Sequence, residues 1–135
     1  GQGGNWLFRN DGTGRFTELS TTHLPERSEY AQSVALGDLD GDGDLDAYLG
    51  NLQPLVGSGA TTNRLYRNDG RGFFTDVTAN HLLHHPDCCS RVVLADLDGD
   101  RDLDVFLANR HANRVQYGAA PGYLIEWASL PQHQP

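Results

Sequence analysis

Two nine-residue stretches, DLDGDGDLD from Asp38 to Asp46 and DLDGDRDLD from Asp96 to Asp104, place a carboxylate at every second position. In a tight loop, residues one, three, five and nine turn their side chains onto one centre, and residue seven adds its main-chain carbonyl. Such a set supplies the hard oxygens that Ca²⁺ prefers. The pattern predicts two calcium sites. One uses Asp38, Asp40, Asp42 and Asp46 with the carbonyl of Asp44; the other uses Asp96, Asp98, Asp100 and Asp104 with the carbonyl of Asp102. A solvated acidic turn is the bland alternative, because Asp and Gly are ordinary turn residues. Against it, four converging carboxylates repel, so without a cation some stay protonated or the loop opens. The loops differ at their sixth position, Gly43 against Arg101. That position favours a left-handed backbone, which costs a non-glycine residue about 1 kcal/mol, so the second loop is expected to bind more weakly or with altered geometry.

The residues beyond the ninth position separate this motif from an EF-hand. An EF-hand needs a bidentate Glu at position twelve and flanking helices, whereas position twelve is Leu49 or Leu107 here. SVALG and RVVLA precede the loops, and LDAYLGN and LDVFLAN follow them. These runs alternate with period two and are rich in Val, Leu and aromatic residues, so they read as strands. Each metal loop therefore joins the two strands of a β-hairpin.

The hairpins belong to a larger duplication at an offset of 58, which maps Asp38 onto Asp96 and also Asn5 onto Asn63, Leu7 onto Leu65 and Asn10 onto Asn68. Phe16 and Phe74, His23 and His81, and Asn51 and Asn109 continue it. Each unit reads as a hairpin turning at Asn10, Asp11, Gly12 or Asn68, Asp69, Gly70, a strand at Phe16 to Leu19 or Phe74 to Val77, a loop, and the calcium hairpin. Four short strands in a repeat of about 40 to 60 residues is the pattern of a propeller blade. The prediction is an all-β chain of about two to two and a half blades of four antiparallel strands. Repeat one spans about 5–51, repeat two about 63–109, and a degenerate third unit about 113–127, where NRVQY resembles NRLYR and YLIEW supplies the last strand. Residues 1–128 form a single domain or fragment, and 129–135 form a tail without strand pattern.

NWLFRNDGTGRFTEL and NRLYRNDGRGFFTDV, each followed by a calcium hairpin ending LDAYLGN or LDVFLAN, resemble the FG-GAP (VCBS) repeats of integrin-alpha-like propellers and of bacterial repeat proteins. The resemblance covers roughly Asn5 to Asn109. It implies blades of a β-propeller, calcium between adjacent strands, and a secreted or cell-surface adhesion or binding module. Arg101 and the third unit depart from the family pattern.

Composition narrows the partners. Ten of the 14 Asp lie in the two loops, and two calcium ions would cancel half of the formal net charge of −8. All ten basic residues are Arg and form no continuous stripe, which argues against nucleic acid. No apolar run reaches the length of a membrane span, so membrane insertion is not expected. A chain beginning at Gly1 reads as a processed or incomplete product, and the loops suit millimolar calcium outside the cell or at its surface. Ser33 and Ser90 lack a nucleophile setting, and the carboxylates are committed to metal, so no enzyme is predicted.

Cys88 and Cys89 stand beside His81, His84, His85 and Asp87. A soft-metal site, a disulfide between neighbours or to another chain, and unlinked thiols in a polar loop all remain open. Two blades are fewer than the four to eight or so that close a ring, so neighbouring repeats of a longer chain or other copies of this one must cover the open faces. The leading reading is a calcium-binding structural or adhesive module that self-assembles into an oligomer or fibre. The alternatives are a fragment of a larger adhesion protein that takes a protein ligand, and a lectin in which Trp6, Tyr48, Phe106, Tyr117 or Trp127 stacks on a glycan. Ser20, Thr21, Thr22, Thr61 and Thr62 are candidate O-glycosylation positions.

Overall fold

The computed structural model describes residues 4–26, 31–52, 62–82, 89–109, 114–117 and 126–129, the last two segments by their backbone only. The chain is all-β, in propeller-type blades, and every strand pair among the described residues is antiparallel. A two-stranded hairpin comes first, β1 (Phe8–Asn10) with β2 (Phe16–Glu18). The first blade is β3 (Ala31–Gly37), β4 (Asp46–Asn51), β5 (Arg64–Asn68) and β6 (Phe74–Asp76), paired in that order. The second is β7 (Cys89–Ala95), β8 (Asp104–Asn109), β9 (Arg114–Tyr117) and β10 (Glu126–Ser129).

The duplication is preserved in the pairing. Tyr48 sits opposite Leu65, and Phe106 opposite Val115 in the same place of the second sheet. Even the bulge recurs, between Ala31 and Ser33 in β3 and between Cys89 and Arg91 in β7. The third unit thus completes a four-stranded blade, although its sequence has drifted. Its last strand starts three residues later than YLIEW suggests and runs to Ser129, because Glu126 pairs with Tyr117 and the ladder continues to Arg114. The GAAPG turn lies outside the described residues.

Two single-turn helices replace part of the expected loops, α1 (Ser20–His23) and α2 (Thr78–His81). Each places a hydroxyl where a strand amide needs a partner. The Leu7 N–H donates to Ser20 Oγ at 2.7 Å and the Leu65 N–H to Thr78 Oγ1 at 2.9 Å. Ser20 therefore has a structural use apart from any modification. His23 of α1 stacks on Phe73 at 3.8 Å between ring centroids, joining the first hairpin to the tip of the first blade.

The core lies between the blades. Tyr48 and Leu65 from the first pack with Cys89, Val92, Val105 and Leu107 from the second, all 6% exposed or less. Each fully buried side chain of this size contributes about 1.5–3 kcal/mol. Glycine lets the sheets approach, since a Cβ on Gly50 would lie 2.5 Å from Cys89 Sγ and 2.8 Å from Val92 Cγ2. The Val92 N–H donates to Ser33 Oγ at 3.2 Å across the same seam. A smaller cluster, Ala47, Leu49 and Tyr66 with Phe74, covers part of the opposite face of the first blade.

Candidate metal centre

Both acidic loops connect the inner strands of a blade, β3 to β4 and β7 to β8, so a rigid hairpin holds each one at its two ends. Inside the first loop three carboxylates accept nearby amides. Asp38 takes Gly41 at 2.8 Å and Gly43 at 3.0 Å, Asp40 takes Asp42 at 3.1 Å, and Asp42 takes Asp44 at 2.9 Å. The second loop repeats this, with Asp96 taking Gly99 at 2.7 Å and Arg101 at 3.0 Å, Asp98 taking Asp100 at 3.1 Å, and Asp100 taking Asp102 at 2.9 Å. The sixth position is left-handed in both, φ 92° at Gly43 and φ 80° at Arg101, the one non-glycine residue with positive φ among those described.

One carboxylate oxygen from each of Asp38, Asp40 and Asp42 lies within 4.8 Å of the other two, and so do oxygens of Asp96, Asp98 and Asp104. The ninth residues are fully buried, unlike the rest of either loop. Asp46 accepts from Leu39 at 3.1 Å through Oδ2 and from Asn68 at 2.9 Å through Oδ1. Asp104 likewise accepts from Leu97 at 2.6 Å. Each Asp46 oxygen accepts one amide and keeps a further lone pair. Neither triad contains all four expected carboxylates, since Asp46 and Asp100 stand outside them.

Residue seven of the first loop turns away from the triad. The Asp44 carboxylate is turned to the β5–β6 turn, where a Cβ on Gly70 would lie 2.6 Å from its Oδ2. Asp102 Oδ2 is buried with no hydrogen-bond partner. Neither carboxylate belongs to a triad.

Electrostatics favour a cation here. Burial pushes the Asp46 carboxyl above its ordinary value, against the pull of the Asn68 and Leu39 amides, and the charges of Asp40 and Asp42 push the same way. At Asp42 the Asp44 amide pulls down, but desolvation and the Asp40 and Asp44 charges outweigh it and the value rises. Asp98 is raised in the same manner, with the Asp100 amide outweighed by desolvation and the Asp100 and Asp104 charges. Oxygen-only donors whose like charges oppose one another fit a hard divalent cation.

Sequence reasoning missed Asn68. Its side-chain oxygen accepts Gly70 at 3.2 Å and Gly72 at 3.0 Å, its amide nitrogen donates to the Leu45 carbonyl at 3.1 Å, and its main-chain N–H reaches Asp46. The residue read as a turn former is thus also the link from the outer hairpin to the acidic loop. Its repetition as Asn10 was visible, but an Asx turn alone accounts for that signal.

Other candidates divide. Cys89 is completely buried in the seam between the blades, its Sγ donating to the Arg91 carbonyl at 3.5 Å, so it is not part of a polar loop. Cys88, His84, His85 and Asp87 lie outside the described residues. Of the aromatic residues that would stack on a sugar, Tyr48 is fully buried as core, Phe106 is half-buried, and Trp6 is 72% exposed and stacks on Phe8. The side chains of Tyr117 and Trp127 are not described. Among the described residues, no helix is long and apolar enough to cross a membrane.

Residues 1–49 and 53–107 match the FG-GAP-like repeat family. The chain is 32% identical to cartilage acidic protein 1 of Xenopus tropicalis over 111 residues, covering 79% of this chain and 16% of that protein. The mouse and human proteins of the same name are 31% and 30% identical over the same shares. The chain thus spans about 16% of the length of these relatives. The family match covers two successive units, and these coincide with the 58-residue duplication seen in the strands: the chain belongs to the FG-GAP-like repeat family.

Proposed function

We propose that this chain is a calcium-fastened structural or adhesive module that works outside the cell or on its surface, with neighbouring repeats or other copies completing its open faces. The observation that carries the reading is that three carboxylate oxygens converge in each of the two equivalent loops, β3–β4 and β7–β8. Each loop ends on a fully buried ninth carboxylate, Asp46 or Asp104. A catalytic site has no reason to recur in each repeat, whereas a fastener does. Asp38, Asp40, Asp42 and Asp46, with the Asp44 carbonyl, hold one ion; Asp96, Asp98, Asp100 and Asp104, with the Asp102 carbonyl, hold the other. Calcium binds the folded loops and so stabilises them by mass action, by about 2.7 kcal/mol per site at a hundredfold excess over Kd. Millimolar extracellular calcium suits modules of this kind, and the relatives' name, cartilage acidic protein, accords with an acidic protein outside the cell.

The test is calorimetric titration of the chain with calcium, paired with thermal melting in calcium and in chelator. Two ions per chain and a clear fall in Tm on chelation are expected. An unchanged melting curve in excess chelator overturns the reading.

A further inference from the structure

The β1–β2 hairpin has the form of the outer half of a blade. Its counterpart β5 lies between β4 and β6, whereas among the described residues β1 pairs with β2 alone. Tyr66 of β5 is 2% exposed, packed with Ala47 and Leu49 of β4; Phe8, in the same place of β1, is 52% exposed. The polar positions repeat as well. In the first blade the Asn68 N–H donates to Asp46 and its side-chain amide to the Leu45 carbonyl, while Asn63 Oδ1 accepts the Asn51 N–H at 3.0 Å. Asn10 and Asn5 hold these two places in the hairpin. Asn10 is already set as Asn68 is, its Oδ1 accepting the Gly12 amide at 2.9 Å and the Gly14 amide at 3.3 Å. Leu7 repeats Leu65 in the same way, its N–H on Ser20 Oγ as that of Leu65 is on Thr78 Oγ1. The hairpin thus carries the docking groups of β5 on an edge that no described strand covers.

We propose that the open edge of β1 takes the inner β-hairpin of a preceding repeat unit, added in the register that β4 holds on β5. That register sets Ala47 against Tyr66, Tyr48 against Leu65 and Leu49 against Arg64, so the incoming residues meet Phe8, Leu7 and Trp6. Backbone pairing supplies affinity in any strand addition, and side-chain contacts supply the selectivity. Here the selective contacts are polar. A ninth carboxylate accepts the Asn10 N–H, as Asp46 accepts that of Asn68, and the N–H at the far end of the strand reaches Asn5 Oδ1, as that of Asn51 reaches Asn63. An edge that asks for Asp at the start of the strand fits a strand leaving an acidic loop. A second folded copy has none to offer, because β5 already covers that edge of β4 and β9 that of β8. A preceding unit of a longer chain does, and this chain spans 16% of the length of its Xenopus relative. The same strand would cover Val34, 59% exposed, whose counterpart Val92 packs with Tyr48 and Leu65 in the core. This rests on the structural reading above and names its partner.

The test supplies the hairpin from the chain's own sequence. Residues 31–62 are fused directly ahead of Asn5, which restores the spacing of the repeat, and amide exchange is followed by NMR in chelator, where no metal contributes. The extension should slow exchange at the Asn10 N–H at least about tenfold and raise Tm by several degrees. The same extension with Asp46→Ala in its added copy should lose the protection at Asn10. Asn5→Ala should lower Tm in the extended chain and leave the unextended one nearly unchanged. Exchange at Asn10 that is equal with and without the extension overturns the proposal, and so does an Asp46→Ala extension that protects as well as the intact one. Protection that appears on concentrating the unextended chain overturns it in favour of other copies. The calcium reading is judged separately, by melting the unextended chain in calcium and in chelator, so either can fail while the other stands.

Discussion

The carboxylate of Asp46 accepts the main-chain N–H of Asn68 at 2.9 Å, across 22 residues of sequence and from a different hairpin. Through its other oxygen it holds Leu39, at the start of the acidic loop. One buried side chain thus ties the loop to its own strand and to the outer half of the blade. Loop order and blade order are coupled through it.

That coupling predicts a stability defect that does not depend on metal. Asp46→Ala removes the acceptor of two backbone amides, and each one left without a partner costs about 1–3 kcal/mol. Urea unfolding in chelator should show the loss at Asp46→Ala and little change at Asp42→Ala, whose carboxylate lies at the surface. In calcium both variants should lose stabilisation. Equal behaviour of the two variants in chelator would remove the structural role from Asp46.

Arg101 holds a backbone conformation that Gly43 adopts without a Cβ, at φ 80° and φ 92°. Arg101→Gly should relieve about 1 kcal/mol of strain, offset in part by the greater flexibility of glycine when unfolded. It should also tighten the weaker of the two calcium affinities. Gly43→Arg should weaken the other site, and calorimetry on the pair would show whether the affinities change in these opposite directions.

The seam between the blades predicts a compensating pair. Gly50→Ala drives a methyl into Cys89 Sγ, and overpacking of this kind costs about 1–3 kcal/mol. Adding Cys89→Ala should recover part of the loss, with a coupling of at least about 0.5 kcal/mol in a double-mutant cycle. Additive effects would show that the two side chains do not compete for that space.

The raised carboxyls set the sign of the pH response. Asp42, Asp46 and Asp98 hold their protons more tightly folded than unfolded. Without calcium, their contribution to stability therefore falls as pH rises from about 4 through their folded-state values. Calcium displaces those protons, so its stabilising effect grows over the same range. The gap between Tm in calcium and Tm in calcium-depleted buffer should be widest near neutrality and close as pH falls toward about 4. Asp69, lowered by the Arg71 amide, and Asp11, lowered by the Thr13 hydroxyl, act in the opposite direction. They lie outside the loops and cancel in the difference. A gap that does not vary with pH would separate these carboxyls from metal binding.

The amino-acid sequence by itself determined the repeat, the strands around each acidic loop, the carboxylate positions and the left-handed sixth residue. Spacing and backbone stereochemistry are local, and local rules read them directly. Tertiary structure alone decided what Asn68 does, why Cys89 is buried, and which carboxylates converge. It also completed the second blade, because the pairing register of Arg114–Tyr117 with β8 and Glu126–Ser129 outlasts the loss of the NDG signature. Those outcomes depend on which surfaces meet across 22 residues or a whole repeat. Only the packed sheets bring such surfaces together, and the energy of that packing is not written in any single stretch of chain.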